Sequence, residues 1–113
     1  MFGFSTVVVS GNSMSPAYNQ GDFLLIRSLS GQRHTLLIGQ VYLIQDPNRE
    51  GVKLLKRLKE TRIEHGIIRY WVEGDSKESN DSRSWGWLEG DKFVGKVLLR
   101  YRKGSLASKR LCH

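Results

Sequence analysis

Ser13 and Lys56 are the residues of this chain whose types and settings could together carry covalent chemistry. Ser13 stands in the loop Ser10-Gly11-Asn12-Ser13-Met14-Ser15-Pro16, directly after the β-branched run Thr6–Val9. Such a loop presents a hydroxyl at a strand end with little around it, and the apolar Met14 can line a cleft and help exclude water. A serine hydroxyl is a weak nucleophile until an adjacent base takes its proton. Lys56 can be that base only as a neutral amine, and an unperturbed lysine, with a pKa of about 10.4, is charged at neutral pH. Burial disfavours the charged form and lowers that value. In Val52-Lys53-Leu54-Leu55-Lys56-Arg57-Leu58-Lys59 a period of two puts Val52, Leu54, Lys56 and Leu58 on one face, which points the amine into an apolar surface. A helical period instead buries Val52, Leu55 and Leu58 and leaves Lys56 in water. The preceding turn and the brevity of the run favour the strand, but the pattern alone does not decide. Taken singly, a Ser/Gly/Asn/Pro loop is a common turn, and a lysine in a basic chain is a common surface residue.

The elements that must position these residues read as short strands. Thr6–Val9, Phe23–Arg27, Val41–Gln45, Val52–Lys59, Ile67–Val72 and Val94–Tyr101 are rich in β-formers, and turn signals such as Gly21-Asp22 and Asp46-Pro47-Asn48-Arg49-Glu50-Gly51 separate them. The third and fourth runs flank that second turn as a hairpin. Residues 28–39 read as a polar connector, and Glu73 to Gly86 as a long polar loop. A mainly antiparallel β-fold follows.

With 113 residues there is room for one core. Residues 1–102 are expected to form a single β-domain and 103–113 a basic C-terminal tail. The net charge is +7, and Arg100, Arg102, Lys103, Lys109 and Arg110 cluster near the end, as a solvated tail or a partner-facing patch. The single cysteine, Cys112, permits no internal disulfide and favours a reducing compartment; beside His113 it makes no closed zinc site. No apolar run approaches the roughly 20 residues of a membrane helix. Met1-Phe2-Gly3-Phe4 lacks the basic region of a signal peptide. A cytoplasmic chain without a transmembrane anchor is the expectation.

Beyond Ser13 and Lys56, the order of short motifs is informative. Gly11-Asn12-Ser13-Met14-Ser15-Pro16 resembles the nucleophile box of the signal peptidase I family, and Gly21-Asp22 with the apolar strand after it resembles that family's second box. Lys56-Arg57, preceded by Leu54-Leu55, looks like the box of the general-base lysine. Gly74-Asp75 with Ser79-Asn80-Asp81-Ser82-Arg83 and Gly86 resembles the last box, and is the most specific of the four. The resemblance covers most of residues 7 to 99. It implies a small antiparallel barrel-like or sandwich-like catalytic core, here without the family's inserted second domain. It implies Ser13 as nucleophile, its backbone N–H as an oxyanion donor, and Lys56 as base. Ser79 would orient the lysine amine, and the Asp81–Arg83 ion pair would hold the last loop against the cleft. The implied reaction is serine endopeptidase removal of an N-terminal leader from a protein substrate, with no metal or cofactor. A short chain lacking membrane helices resembles the compact branch that includes proteases proposed to mature nickel-dependent superoxide dismutase, which makes that precursor the candidate partner. A more general signal-peptide-processing role is the alternative.

The chain also departs from the family pattern. Ala17 stands where Thr is common, and Gly11 where some members carry a serine as second oxyanion donor. Ser76 replaces an asparagine. Leu58-Lys59-Glu60-Thr61-Arg62 replaces a Gly-x-Pro-Gly-Asp stretch. A histidine-based triad would need His34 or His65, neither in a catalytic context. Self-cleaving Ser–Lys repressors cut an Ala-Gly bond, a dipeptide this sequence lacks. A non-catalytic basic β-barrel could bind nucleic acid through its charge and through Tyr70, Trp71, Trp85, Trp87 and Tyr101 as stacking surfaces; on the preferred reading no nucleic acid is expected.

Overall fold

The computed structural model describes residues 3–11, 13–29, 36–77 and 80–101. Seven strands form one antiparallel sheet: β1 (Phe4–Val8), β2 (Phe23–Ser28), β3 (Val41–Gln45), β4 (Lys53–Glu64), β5 (Ile67–Glu73), β6 (Leu88–Glu89) and β7 (Phe93–Tyr101). Their spatial order is β1-β2-β7-β3-β4-β5-β6. The last strand therefore runs down the middle and joins the first two to the central hairpin. The mainly β, antiparallel class read from the sequence is the class observed. The expected C-terminal tail lies outside the described residues.

The ambiguous lysine segment is a strand. β4 pairs with β3 in the register Tyr42↔Lys56 and Ile44↔Leu54, so Lys56 shares a face with Tyr42, Ile44 and Leu58. The turn between them is held by the Asp46 carboxylate, which accepts from the Asn48 backbone N–H at 2.8 Å and the Arg49 Nε–H at 2.9 Å. Beyond Lys59, β4 continues to Glu64, further than its apolar alternation indicates, because it pairs with β5 out to Glu64↔Ile67. That second hairpin turns at His65 and Gly66, both at positive φ, as a tight two-residue turn requires.

The polar stretch from Glu73 to Gly86 is not all loop. It contains a one-turn helix, α1 (Ser82–Trp85), started by the Asp81 side chain accepting from the Arg83 N–H. Four residues carry no helical period, so the sequence gives no periodic signal for it. Among the described residues, the buried apolar side chains fall into two clusters. Tyr42, Ile44, Leu58, Tyr70, Val72, Leu88 and Phe93 form one. Val9, Met14, Leu24, Ile26, Val41 and Val97 form the other. Alternation along β3 supplies both, Tyr42 and Ile44 to the first and Val41 to the second. Among the described residues, no helix is long and apolar enough to cross a membrane.

Candidate functional site

The Ser13 loop is anchored from both ends. After β1, the Val9 N–H donates to the Asp22 carbonyl at 2.8 Å, and the Gly21 N–H returns a bond to the Val9 carbonyl at 2.9 Å. Met14 is 1% exposed within the second cluster, and its carbonyl accepts the Tyr18 N–H at 2.9 Å. Met14 thus plugs the loop into the core, while its neighbour Ser13 stays half-buried at the rim. Gly11 is exposed at a φ of +84°, a conformation that a side chain disfavours. A serine donor at this position would be strained as the loop is built. Asn12 lies outside the described residues.

Lys56 is 2% exposed. Among the described residues, no carboxylate lies within ion-pair distance of its amine. Burial is the largest influence on that amine and pushes its pKa below the ordinary 10.5. The field of Asp81 pulls it back up, Arg83 pushes it down, and Asp46 at the end of β3 pulls it up again. The net direction is toward the neutral amine.

Asp81 is fully buried and saturated with donors. It accepts the Gly74 N–H at 2.7 Å, the Arg83 N–H at 3.0 Å, and the Arg83 guanidinium at 2.9 and 2.6 Å. That pairing raises the Arg83 pKa, chiefly through the hydrogen bond. Arg83 also donates to the Ser76 carbonyl at 3.0 Å. The Ser76 N–H donates in turn to the Ser13 carbonyl at 2.9 Å. The last loop is therefore bonded to the Ser13 loop itself, and Asp81 and Arg83 brace the residue that makes the connection. Ser79 lies outside the described residues, so its expected contact with the amine has no structural description.

The sequence did not reveal a second brace. Arg57, next to Lys56 but on the opposite face of β4, forms a two-point ion pair with Asp75 at 3.0 and 2.8 Å. It also donates to the Gly39 carbonyl at 2.7 Å. The Asp75 hydrogen bond holds the Arg57 pKa above its usual value. One strand thus sends its lysine into the interior and its arginine to the segment that bonds Ser13. Arg57 and Asp75 were visible as parts of two motifs, but nothing in their spacing announces that they meet.

A serine on a braced loop and a dry amine are groups of the kind that acyl transfer uses. Residues 1–61, more than half of the chain, match the family model described as signal peptidase, peptidase S26. The chain belongs to the peptidase S26 family. Among its relatives, mitochondrial inner membrane protease subunit 1 of Xenopus tropicalis is 27% identical, over 83% of this chain and 66% of the relative. The signal peptidase complex catalytic subunit SEC11C of Homo sapiens is 25% identical over 80% of this chain and 48% of the relative. This S26 chain therefore spans between about half and two thirds of the length of these relatives.

The aromatic residues considered as stacking surfaces have internal partners in this S26 domain. Tyr70 packs edge-on to Phe93, and Trp85 packs against the first cluster. Trp71 and Trp87 meet edge-to-face at 5.2 Å, with the Arg62 guanidinium over the Trp87 ring. Tyr101 lies against Phe23 at 5.6 Å. Among the described residues, no group of three or more His, Cys, Asp or Glu side chains could hold a metal ion.

Proposed function

We propose that this chain is a serine endopeptidase that removes an N-terminal leader from a protein substrate, with Ser13 as nucleophile and Lys56 as general base. The observation that carries the reading is the burial of the Lys56 amine on the apolar face of β4, which drives it toward its proton-accepting form. The Ser13 Oγ attacks the scissile carbonyl carbon while its proton passes to Lys56 Nζ. The negative charge that forms on the carbonyl oxygen is met by the Ser13 backbone N–H. Collapse of this intermediate breaks the C–N bond; the departing amine takes the proton from Lys56, leaving an acyl ester on Ser13. Water then attacks the ester, Lys56 takes a proton from it, and Ser13 leaves with that proton.

The surrounding residues have positioning roles on this reading. Asp81 and Arg83 fix Ser76 and, through it, the Ser13 carbonyl; Ser79 orients the amine; Met14 keeps water from the loop's inner side. β1 leads into the Ser13 loop and stands at the end of the sheet order. An extended peptide adding to its outer edge would run toward the hydroxyl.

The narrower reading takes the precursor of nickel-dependent superoxide dismutase as substrate, in the cytoplasm; the broader alternative is general processing of signal-type leaders. Incubating the purified chain with that precursor and, separately, with an unrelated leader-bearing protein distinguishes them. Cleavage of the first alone supports the narrow substrate, and cleavage of both supports the broad one. Folded Ser13→Ala and Lys56→Ala variants that still cleave would overturn the proposed chemistry.

A further inference from the structure

Arg100 read in sequence as part of the basic C-terminal cluster, but its side chain turns back onto the Ser13 loop. It lies on β7 opposite Leu24, a member of the same buried cluster as Met14. From there its guanidinium donates to the Ala17 carbonyl. It also sits 3.8 Å from the Asp22 carboxylate and 5.8 Å from the centre of the Tyr18 ring. The Asp22 side chain is 8% exposed and also accepts the Asn19 N–H at 3.0 Å. Beyond Arg100, the segment is bonded to Val9 through the Asp22 carbonyl and the Gly21 N–H, and is shaped locally by Tyr18 N–H to Met14, Ser15 Oγ to Asn19 at 3.0 Å, and Asn19 to the Pro16 carbonyl at 3.2 Å. These bonds shape the segment and join it to the end of β1. Arg100 ties it to the central strand.

We infer that Arg100 is a positioning residue that clamps the segment Met14–Asp22 to β7 and thereby holds the Ser13 hydroxyl in its attacking position. The inference rests on Ser13 being the nucleophile. It requires all three partners of one guanidinium, a carbonyl, a carboxylate and a ring face, to belong to the loop that follows the serine. A planar fork can satisfy the three together, and a lysine ammonium cannot reproduce both the fork and the stacking. A displacement of about 1 Å at the reacting atom can cost up to about a hundredfold in rate.

The test compares wild type with Arg100→Ala and Arg100→Lys, using a cleavable leader-bearing substrate and backbone hydrogen exchange, at a temperature where all three are folded. Arg100→Ala is expected to lower kcat about ten- to a hundredfold with KM within twofold. The acid limb of the pH profile stays in place, because the Lys56 surroundings are untouched. Exchange should accelerate at the Tyr18 and Gly21 amides but not at Ile44, and Arg100→Lys should recover part of both effects. Unchanged kcat with unchanged exchange overturns the inference. So does a raised KM at constant kcat, which would make Arg100 a substrate contact, or an activity loss that merely tracks the unfolded fraction. If wild type cleaves nothing, the proposed function has failed, and the exchange measurement alone decides whether the clamp exists.

Discussion

A lysine kept dry on an apolar strand is costly to the fold. Its place on an apolar face was legible only on the strand reading, in which Val52, Leu54, Lys56 and Leu58 share one side; the structure settles strand against helix. The sign of its pH dependence follows from the direction of its shift. Burial depresses the folded pKa below 10.5, so the unfolded chain binds more protons between the folded and unfolded values. Stability therefore rises with pH through that window and is diminished as pH falls through the folded pKa. Activity should show an acid limb at the same folded value, below the ordinary lysine range, and lose it in Lys56→Ala, whose residual rate is at least about a thousandfold lower. Lys56→Met should abolish cleavage yet raise the melting temperature by about 4 °C or more, because it exchanges a desolvated amine for an apolar side chain of similar length. A scanning calorimetry trace in which Lys56→Met melts below wild type would contradict this account of the strand.

At the scale of elements, the loops do more than connect. The short helix α1 is capped by Asp81, whose carboxylate also collects donors from Gly74 and the Arg83 side chain, while Arg57 reaches across from β4 to Asp75. The sequence displayed these residues as motifs, but an ion pair between positions 57 and 75 depends on how β4, β5 and the next turn fold together. Local spacing carries no trace of that. Asp81→Asn removes the largest upward pull on the Lys56 amine, so the acid limb of kcat/KM should move to lower pH. Adding Arg83→Gln removes an opposing field and should move it part-way back. The single substitution should also destabilise the domain by about 2 kcal/mol, less than for a fully enclosed pair because Arg83 is more than a third exposed. For the second brace, Arg57→Ala and Asp75→Ala should each lower kcat about tenfold. A double-mutant cycle in urea should return a coupling of about 1 kcal/mol. A coupling near zero would mean that the pair does not hold the segment bonded to Ser13.

The whole molecule depends on β7, which pairs with β2 on one side and β3 on the other. The sequence marked this strand as one more β-rich run. Its central place was invisible, because strand order follows from long-range pairing and from irregularities at Leu25/Ile26 and Leu43/Ile44 that no alternation pattern encodes. Gly95 shows what that position demands. A Cβ there would stand 2.5 Å from the Ile26 Cγ2 and 3.4 Å from the Leu43 Cβ. Ile26 is 2% exposed, and its Cγ2 is a branch at Cβ that cannot swing aside as the end of a long chain would. The backbones of β2 and β7 would have to part, straining the strand that carries Arg100 and the sheet under Met14. Gly95→Ala should therefore cost about 1–3 kcal/mol in urea denaturation despite its gain in β-propensity, and Gly95→Val more. Propensity and packing make opposite predictions here, so the sign decides between them: a stabilised Gly95→Ala would mean that the two halves of the sheet meet less closely than the Ile26–Gly95 contact requires.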